Sequence, residues 1–151
     1  MYKRLLVAVD GSEQSYKALD HAVAIAEKFG SELKFLTVVP STSLYFFTDE
    51  SALLFGDSRN ISNYQDRIRS IYYNILTDAE AKVRSEHADI TVSTILMDGR
   101  PSSTIVDVAE KEGCDMIVMG CRGIGGIKGW VIGSTSHMVA SSCKKPVMII
   151  K

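Results

Sequence analysis

Residues 4–12, "RLLVAVDGS", pass from an unbroken apolar run directly into a turn. A strand-length run with no polar alternation is the pattern of a strand covered on both faces. "DGS" then supplies the turn and places Ser12 to cap a helix. That helix is legible behind it: Ala18, Ala22, Ala26 and Phe29, flanked by Leu19 and Val23, recur at helical spacing and stop at Gly30. "ELKFLTVV", residues 32–39, reads as a second strand closed by Pro40. Strand, helix and strand of these lengths predict parallel pairing through a right-handed crossover.

The alternation continues to the end of the chain. Ile68, Ile71, Tyr72, Ile75, Ala79 and Val83 mark a long helix; "ITVSTILM" (90–97) is a third strand with "DGRP" as its exit. Pro101 opens the next helix, which carries Ile105, Val108 and Ala109 and ends at Gly113. "CDMIVMG" (114–120) is a fourth strand, a short helix covers about 134–143, and "PVMII" (146–150) is a fifth strand. The prediction is an α/β three-layer sandwich with a five-stranded parallel sheet, formed as one domain over residues 1–151. Such sheets bind ligands at the carboxyl ends of their strands where the winding reverses. Asp10, Val38 and the glycine-dense stretch after Met119 all fall at strand ends. Residues 41–63 exceed a normal connection and hold Tyr45, Phe46, Phe47 and Phe55; a lid, a partner surface and a short helix packed on the core are open readings.

Composition excludes several function classes. A net charge of -1 gives no reason to expect nucleic-acid or anionic-membrane binding. Cys114, Cys121 and Cys143 fit neither a paired zinc-ligand spacing nor C-x-x-C, so free thiols in a reducing cytoplasm are expected. The apolar run behind Lys3 and Arg4 reaches only Val9, too short for a signal-peptide core or a membrane span. The charge is unevenly distributed, however: Met116–Lys151 contains Arg122, Lys128, Lys144, Lys145 and Lys151 and no Asp or Glu. A segment without carboxylates favours an anionic ligand and lacks a general base.

Within that segment "MGCRGIGGIKGWVIGSTS" (119–136) contains no G-x-x-x-x-G-K-[ST], and the dinucleotide G-x-G-x-x-G fails at Lys128. What stands is Gly120-x-x-Gly123, nine residues, then Gly133-Ser134, with Thr135 and Ser136 opening a helix. Bare backbone lets a phosphate chain approach inward-pointing N–H groups, glycine permits a positive φ, and a helix N-terminus adds partial positive charge. A flexible connection followed by a helix cap is the structural alternative.

On these residues the chain resembles the ATP-binding branch of the universal stress protein family, whose pattern is G-x2-G-x9-G-[ST]. "LLVAVDGSEQS", "GRPSSTIVDVA" and "CDMIVMGCRG" resemble the family's first strand and turn, its third-helix entry and its fourth strand. The resemblance implies a Rossmann-like adenine-nucleotide fold and a site of Asp10, Val38, Met119, Gly120, Gly123, Gly133, Ser134, Thr135 and Ser136. Asp10 would contact the nucleoside, Val38 would meet adenine through its backbone beside Met119, and Gly133–Ser136 would hold phosphates. Cys121 stands where many relatives carry Ser or Thr, Arg122 where they carry His or Arg, and Trp130 replaces a common aliphatic residue. The implied cofactor is ATP, with ADP or AMP as alternatives and Mg or Mn carried by the phosphates. The implied assembly is a homodimer through the C-terminal strand 146–151, with a further protein partner unknown.

Three functions follow as expectations: a cytoplasmic nucleotide-dependent regulatory switch in the stress response, a slow ATPase, or a nucleotide-free interaction protein of the same fold. Turnover by an ATPase needs a residue that orients water at the γ-phosphate, and 116–151 offers no carboxylate for it. His21, His87 and His137 show neither metal nor triad spacing, so no catalytic residue and no protein metal ligand is assigned.

Overall fold

The computed structural model describes residues 1–41, 58–123 and 132–151, with the backbone alone for 58–61. Most of the aromatic-rich insert (42–57) and the spacer 124–131, Trp130 included, lie outside the described residues. The element order is β1 (Arg4–Ala8), α1 (Glu13–Phe29), β2 (Glu32–Pro40), α2 (Ser58–Glu86), β3 (Val92–Gly99), α3 (Pro101–Lys111), β4 (Met116–Gly120), α4 (Ser134–Ser142) and β5 (Val147–Ile150).

All strand pairs are parallel and the sheet order is β3-β2-β1-β4-β5. The chain winds outward from β1 to β2 and β3, returns through α3 to the far side of β1, and winds outward again to β5. A right-handed crossover that reverses direction must change faces. Accordingly α1 and α2 pack on one face, where Leu5, Val7, Phe35 and Val118 meet Leu19, Ala22, Leu76 and Val83. On the other, Leu6, Leu36, Ile117 and Met119 meet Ile105, Val108 and Val139 of α3 and α4. Alternate residues of one strand thus enter two separate cores, which is why the strands read as unbroken apolar runs. The reversal lies between β1 and β4.

Local signals behave as their chemistry dictates. Ser12 caps α1, its Oγ accepting from the Ser15 N–H, and Gly30 ends the helix in the left-handed region at φ 66°. Pro101 occupies the first turn of α3. The sequence reading placed residues 58–63 in the insert; they are the first turns of α2, which continue into the exposed residues 62–66 before the apolar period begins. β3 also begins two residues later and runs two further than read, to Gly99.

At the amino ends of the strands an ion network closes the sheet. Arg4 pairs with Glu32 at 2.9 Å, and Lys34 reaches Glu32 and Glu112 at 3.4 and 3.2 Å. Asp115 accepts from the backbone N–H groups of Arg4 and Lys3 at 2.9 and 2.6 Å, and those bonds, Arg4's foremost, hold its carboxyl below the usual range. Burial pushes the Cys114 thiol up to about 11. The three cysteines are free, and among the described residues no helix is long and apolar enough to cross a membrane.

Candidate functional site

At the reversal two connections leave the carboxyl edge of the sheet side by side, one after β1 and one after β4. The first is a tight Asx-type turn. Asp10 Oδ1 accepts from both the backbone N–H (2.9 Å) and the hydroxyl (2.6 Å) of Ser12. Gly11 takes a φ of 85°, a conformation that disfavours any side chain, and a Cβ there would also press on Ile75 Cδ1 at 2.9 Å.

The second connection is fitted against the first. A Cβ on Gly120 would stand 2.8 Å from the backbone carbonyl carbon of Gln14, so α1 sits directly on the end of β4. One on Gly123 would stand 2.5 Å from Asp10 Oδ2, so the glycine loop lies on the carboxylate's second oxygen. Ser12 Oγ also approaches the Arg122 carbonyl at 3.4 Å. These glycines are required by close approach, since neither is among the residues with positive φ.

The far end of the loop returns to the same place. Gly133 N–H donates to the Cys121 carbonyl at 2.7 Å, and a Cβ on Gly133 would meet that oxygen at 3.0 Å. The positive φ considered for the loop glycines is absent at Gly133, which caps α4 in an extended conformation with φ -64° and ψ 156°. Its missing side chain answers a crowded approach instead. Because glycine has no side-chain acceptor, α4 starts with no side-chain cap, and Ser134, Thr135 and Ser136 occupy its first turn, where N–H groups have no helical partner. Ser134 is exposed and Thr135 half-buried, whereas Ser136 is buried with its hydroxyl donating to Cys121 (2.7 Å) and Gly133 (3.0 Å) carbonyls.

Val38 and Met119 lie on the α3–α4 side of the sheet. Met119 is buried in that core and Val38 is partly covered. Leu36 accepts from the Val9 N–H, so its carbonyl faces β1. Parallel strands alternate which neighbour each residue serves, and two residues on, the N–H and C=O of Val38 face the same side, beyond the point where the Asp10 turn leaves β1. The peptide groups of Val38 therefore point to the β1 side at the carboxyl edge of the sheet, the side from which the Asp10 turn leaves.

The structure thus brings Asp10, Gly120, Gly123, Gly133 and Ser136 into one cluster with the α4 N-terminus, and places Val38 on β2 with its peptide groups toward β1. The sequence reading missed Ser12 and Gln14 as site-building residues and the Cys121 carbonyl as the joint of the loop. "DGS" carried a signal for Ser12, taken there as a cap alone. Nothing in the sequence marks a carbonyl as a hub. Among the described residues no group of three or more His, Cys, Asp or Glu is placed to hold a metal ion.

The model of the universal stress protein family matches residues 1–151. The chain is 32% identical to the universal stress protein YxiE of Bacillus subtilis, with both chains fully covered. It is 28% identical to the universal stress protein MJ0577 of Methanocaldococcus jannaschii, covering all of this chain and 96% of that one. The solved structure of MJ0577 superposes with a TM-score of 0.84 at 25% identity, covering 100% of this chain and 96% of its own. The universal stress protein from Archaeoglobus fulgidus in complex with dAMP shares the fold, with a TM-score of 0.67 at 22% identity over 99% of this chain and 98% of that chain.

Proposed function

The chain belongs to the universal stress protein family, and from that premise we propose that it is an ATP-binding regulatory protein of the stress response, a switch whose surfaces respond to the nucleotide. The observation that carries the reading is the convergence at the sheet's reversal: Asp10 against Gly123, and Gly133 against the Cys121 carbonyl, beside the start of α4, which has no side-chain cap. Each part suits one part of a nucleotide. Asp10 is a carboxylate acceptor for ribose hydroxyls, and the backbone of Val38 offers a donor and an acceptor to the edge of a base. The first-turn N–H groups of α4 and the hydroxyls of Ser134 and Thr135 suit phosphate oxygens. That a protein of the same fold is solved in complex with dAMP supports an adenine nucleotide as the class of ligand.

ATP is the ligand proposed first, ADP and AMP being the alternatives; a Mg or Mn ion enters with the phosphates rather than on protein ligands. The acid-free segment 116–151 supports holding over cleaving, because Asp10, the carboxylate touching the loop, already has one oxygen engaged twice by Ser12. We place the protein in the cytoplasm as one domain. The test is direct: denaturing the purified protein should release an adenine nucleotide identified by mass spectrometry, and calorimetric titration of the stripped protein should show ATP binding. Turnover should stay well below the ~1 per second of ordinary enzymes. A stripped protein that gives no heat with ATP, ADP or AMP would sink the reading.

Dimerisation through β5 belongs to the same proposal. The Ile150 carbonyl accepts from the Cys121 N–H just past β4, and the Pro146 carbonyl just ahead of β5 accepts from Ile117 of β4, so the even positions face β4 and Val147 and Ile149 turn their N–H and C=O to the outer edge. A second β5 across a twofold axis would cover both edges. Ile149→Pro removes one outward N–H where an edge tolerates proline, and light scattering should show its mass falling from two chains toward one. A wild-type protein monomeric at high micromolar concentration would contradict the dimer.

A further inference from the structure

We infer that Ser136 is a positioning residue for the nucleotide site proposed above, a latch that fixes the mouth of the glycine loop, and not itself a phosphate ligand. The latch closes on one acceptor. The Cys121 carbonyl receives the Gly133 N–H and the Ser136 hydroxyl, both at 2.7 Å, using its two lone pairs. The Cys121 N–H is itself tied to the Ile150 carbonyl at 2.7 Å, so the joint is anchored in the sheet. Two residues twelve positions apart in sequence, Cys121 and Gly133, are thereby held together at the entry and exit of the loop.

Chemistry decides between latch and ligand. A serine hydroxyl has one hydrogen, and in Ser136 it is shared between the carbonyls of Cys121 and, at 3.0 Å, Gly133. Phosphate oxygens at neutral pH accept hydrogen bonds, so Ser136 could serve a phosphate only by breaking the latch. Ser136 is 2% exposed, beneath the first turn rather than on its open side, where Ser134 lies exposed. The contribution of Ser136 to binding is therefore made through the placement of the Ser134 and Thr135 N–H groups. Pre-organising those donors in the unliganded protein lowers the ordering cost of binding.

The proposal rests on the nucleotide-binding reading, and the experiment separates the two. Amide hydrogen exchange at Gly133 and ATP affinity by calorimetry are measured on stripped wild type, Ser136→Ala, Ser136→Thr and Ser134→Ala. Ser136→Ala should speed exchange at Gly133 without ligand by about tenfold and weaken ATP by about five- to tenfold, while Ser136→Thr, which keeps the hydroxyl, restores both. Ser134→Ala should weaken ATP and leave Gly133 exchange unchanged. If Ser136→Ala loses affinity with Gly133 exchange as in wild type, Ser136 is a direct ligand and the latch is refuted. Unchanged affinity with faster exchange would equally overturn its positioning role. If wild type binds no nucleotide, the functional reading fails first, and the Gly133 exchange still reports on the latch by itself.

Discussion

Gly120→Ala is expected to cost about 3 kcal/mol of folding stability, the upper end of the usual range for overpacking a filled interior. The added Cβ would lie 2.8 Å from the carbonyl carbon and Cβ of Gln14 and 3.0 Å from its oxygen. No rotamer change relieves a clash with backbone. Either β4 or the first turn of α1 must retreat, and that turn is bound to Ser12 through the N–H groups of Ser15 and Tyr16, with Ser12 bound to Asp10. Urea unfolding should show a lower midpoint with an unchanged slope; a midpoint equal to wild type would show that the helix does not sit on the strand as described. Gly30→Ala makes the comparison. It meets nothing within 4 Å but holds a φ of 66°, so its cost should be the strain alone, about 1 kcal/mol.

The contrast separates two uses of glycine that look the same in a sequence. Gly30 ends a helix because only its backbone conformation matters, and a break in the Ala18–Phe29 stripe announces it. Gly120 and Gly123 answer contacts with Gln14 and Asp10, more than a hundred residues earlier. No local pattern encodes such a contact. The sheet was legible because five short apolar runs cannot satisfy both faces without helices on either side, and right-handed crossovers then leave few windings. The start of α2 was not, because residues 58–63 carry no apolar face to betray a helix. Asp10 and the loop glycines were nameable as strand-end residues, but their contact depended on the order β2-β1-β4, which a list of elements does not state. Ser136 was read with Ser134 and Thr135 as one run of phosphate-facing hydroxyls. Burial separates it, since the third position of α4 turns inward to Cys121.

The largest functional effect is expected at Gly133. Gly133→Val should weaken ATP binding at least ~100-fold, about 2.7 kcal/mol, in a protein that still folds. The backbone at Gly133 is ordinary for valine, with φ -64° and ψ 156°, so strain is not the cause. The cause is space: a Cβ there would lie 3.0 Å from the Cys121 carbonyl and 3.5 Å from Arg122 Cα, and valine's methyl groups add to both contacts. Relief must lengthen the 2.7 Å bond from Gly133 N–H to Cys121, which moves the start of α4 away from the Asp10 turn. Several donors then miss the phosphates together, whereas Ser134→Ala removes one hydroxyl and should cost only about 1 kcal/mol. The global stability of Gly133→Val should fall less than that of Gly120→Ala, because β4 is held between β1 and β5 whereas Gly133 lies outside the sheet. Calorimetry on the folded variant decides the matter. Wild-type affinity in Gly133→Val would mean that the nucleotide does not depend on this mouth, and the site assignment would fall with it.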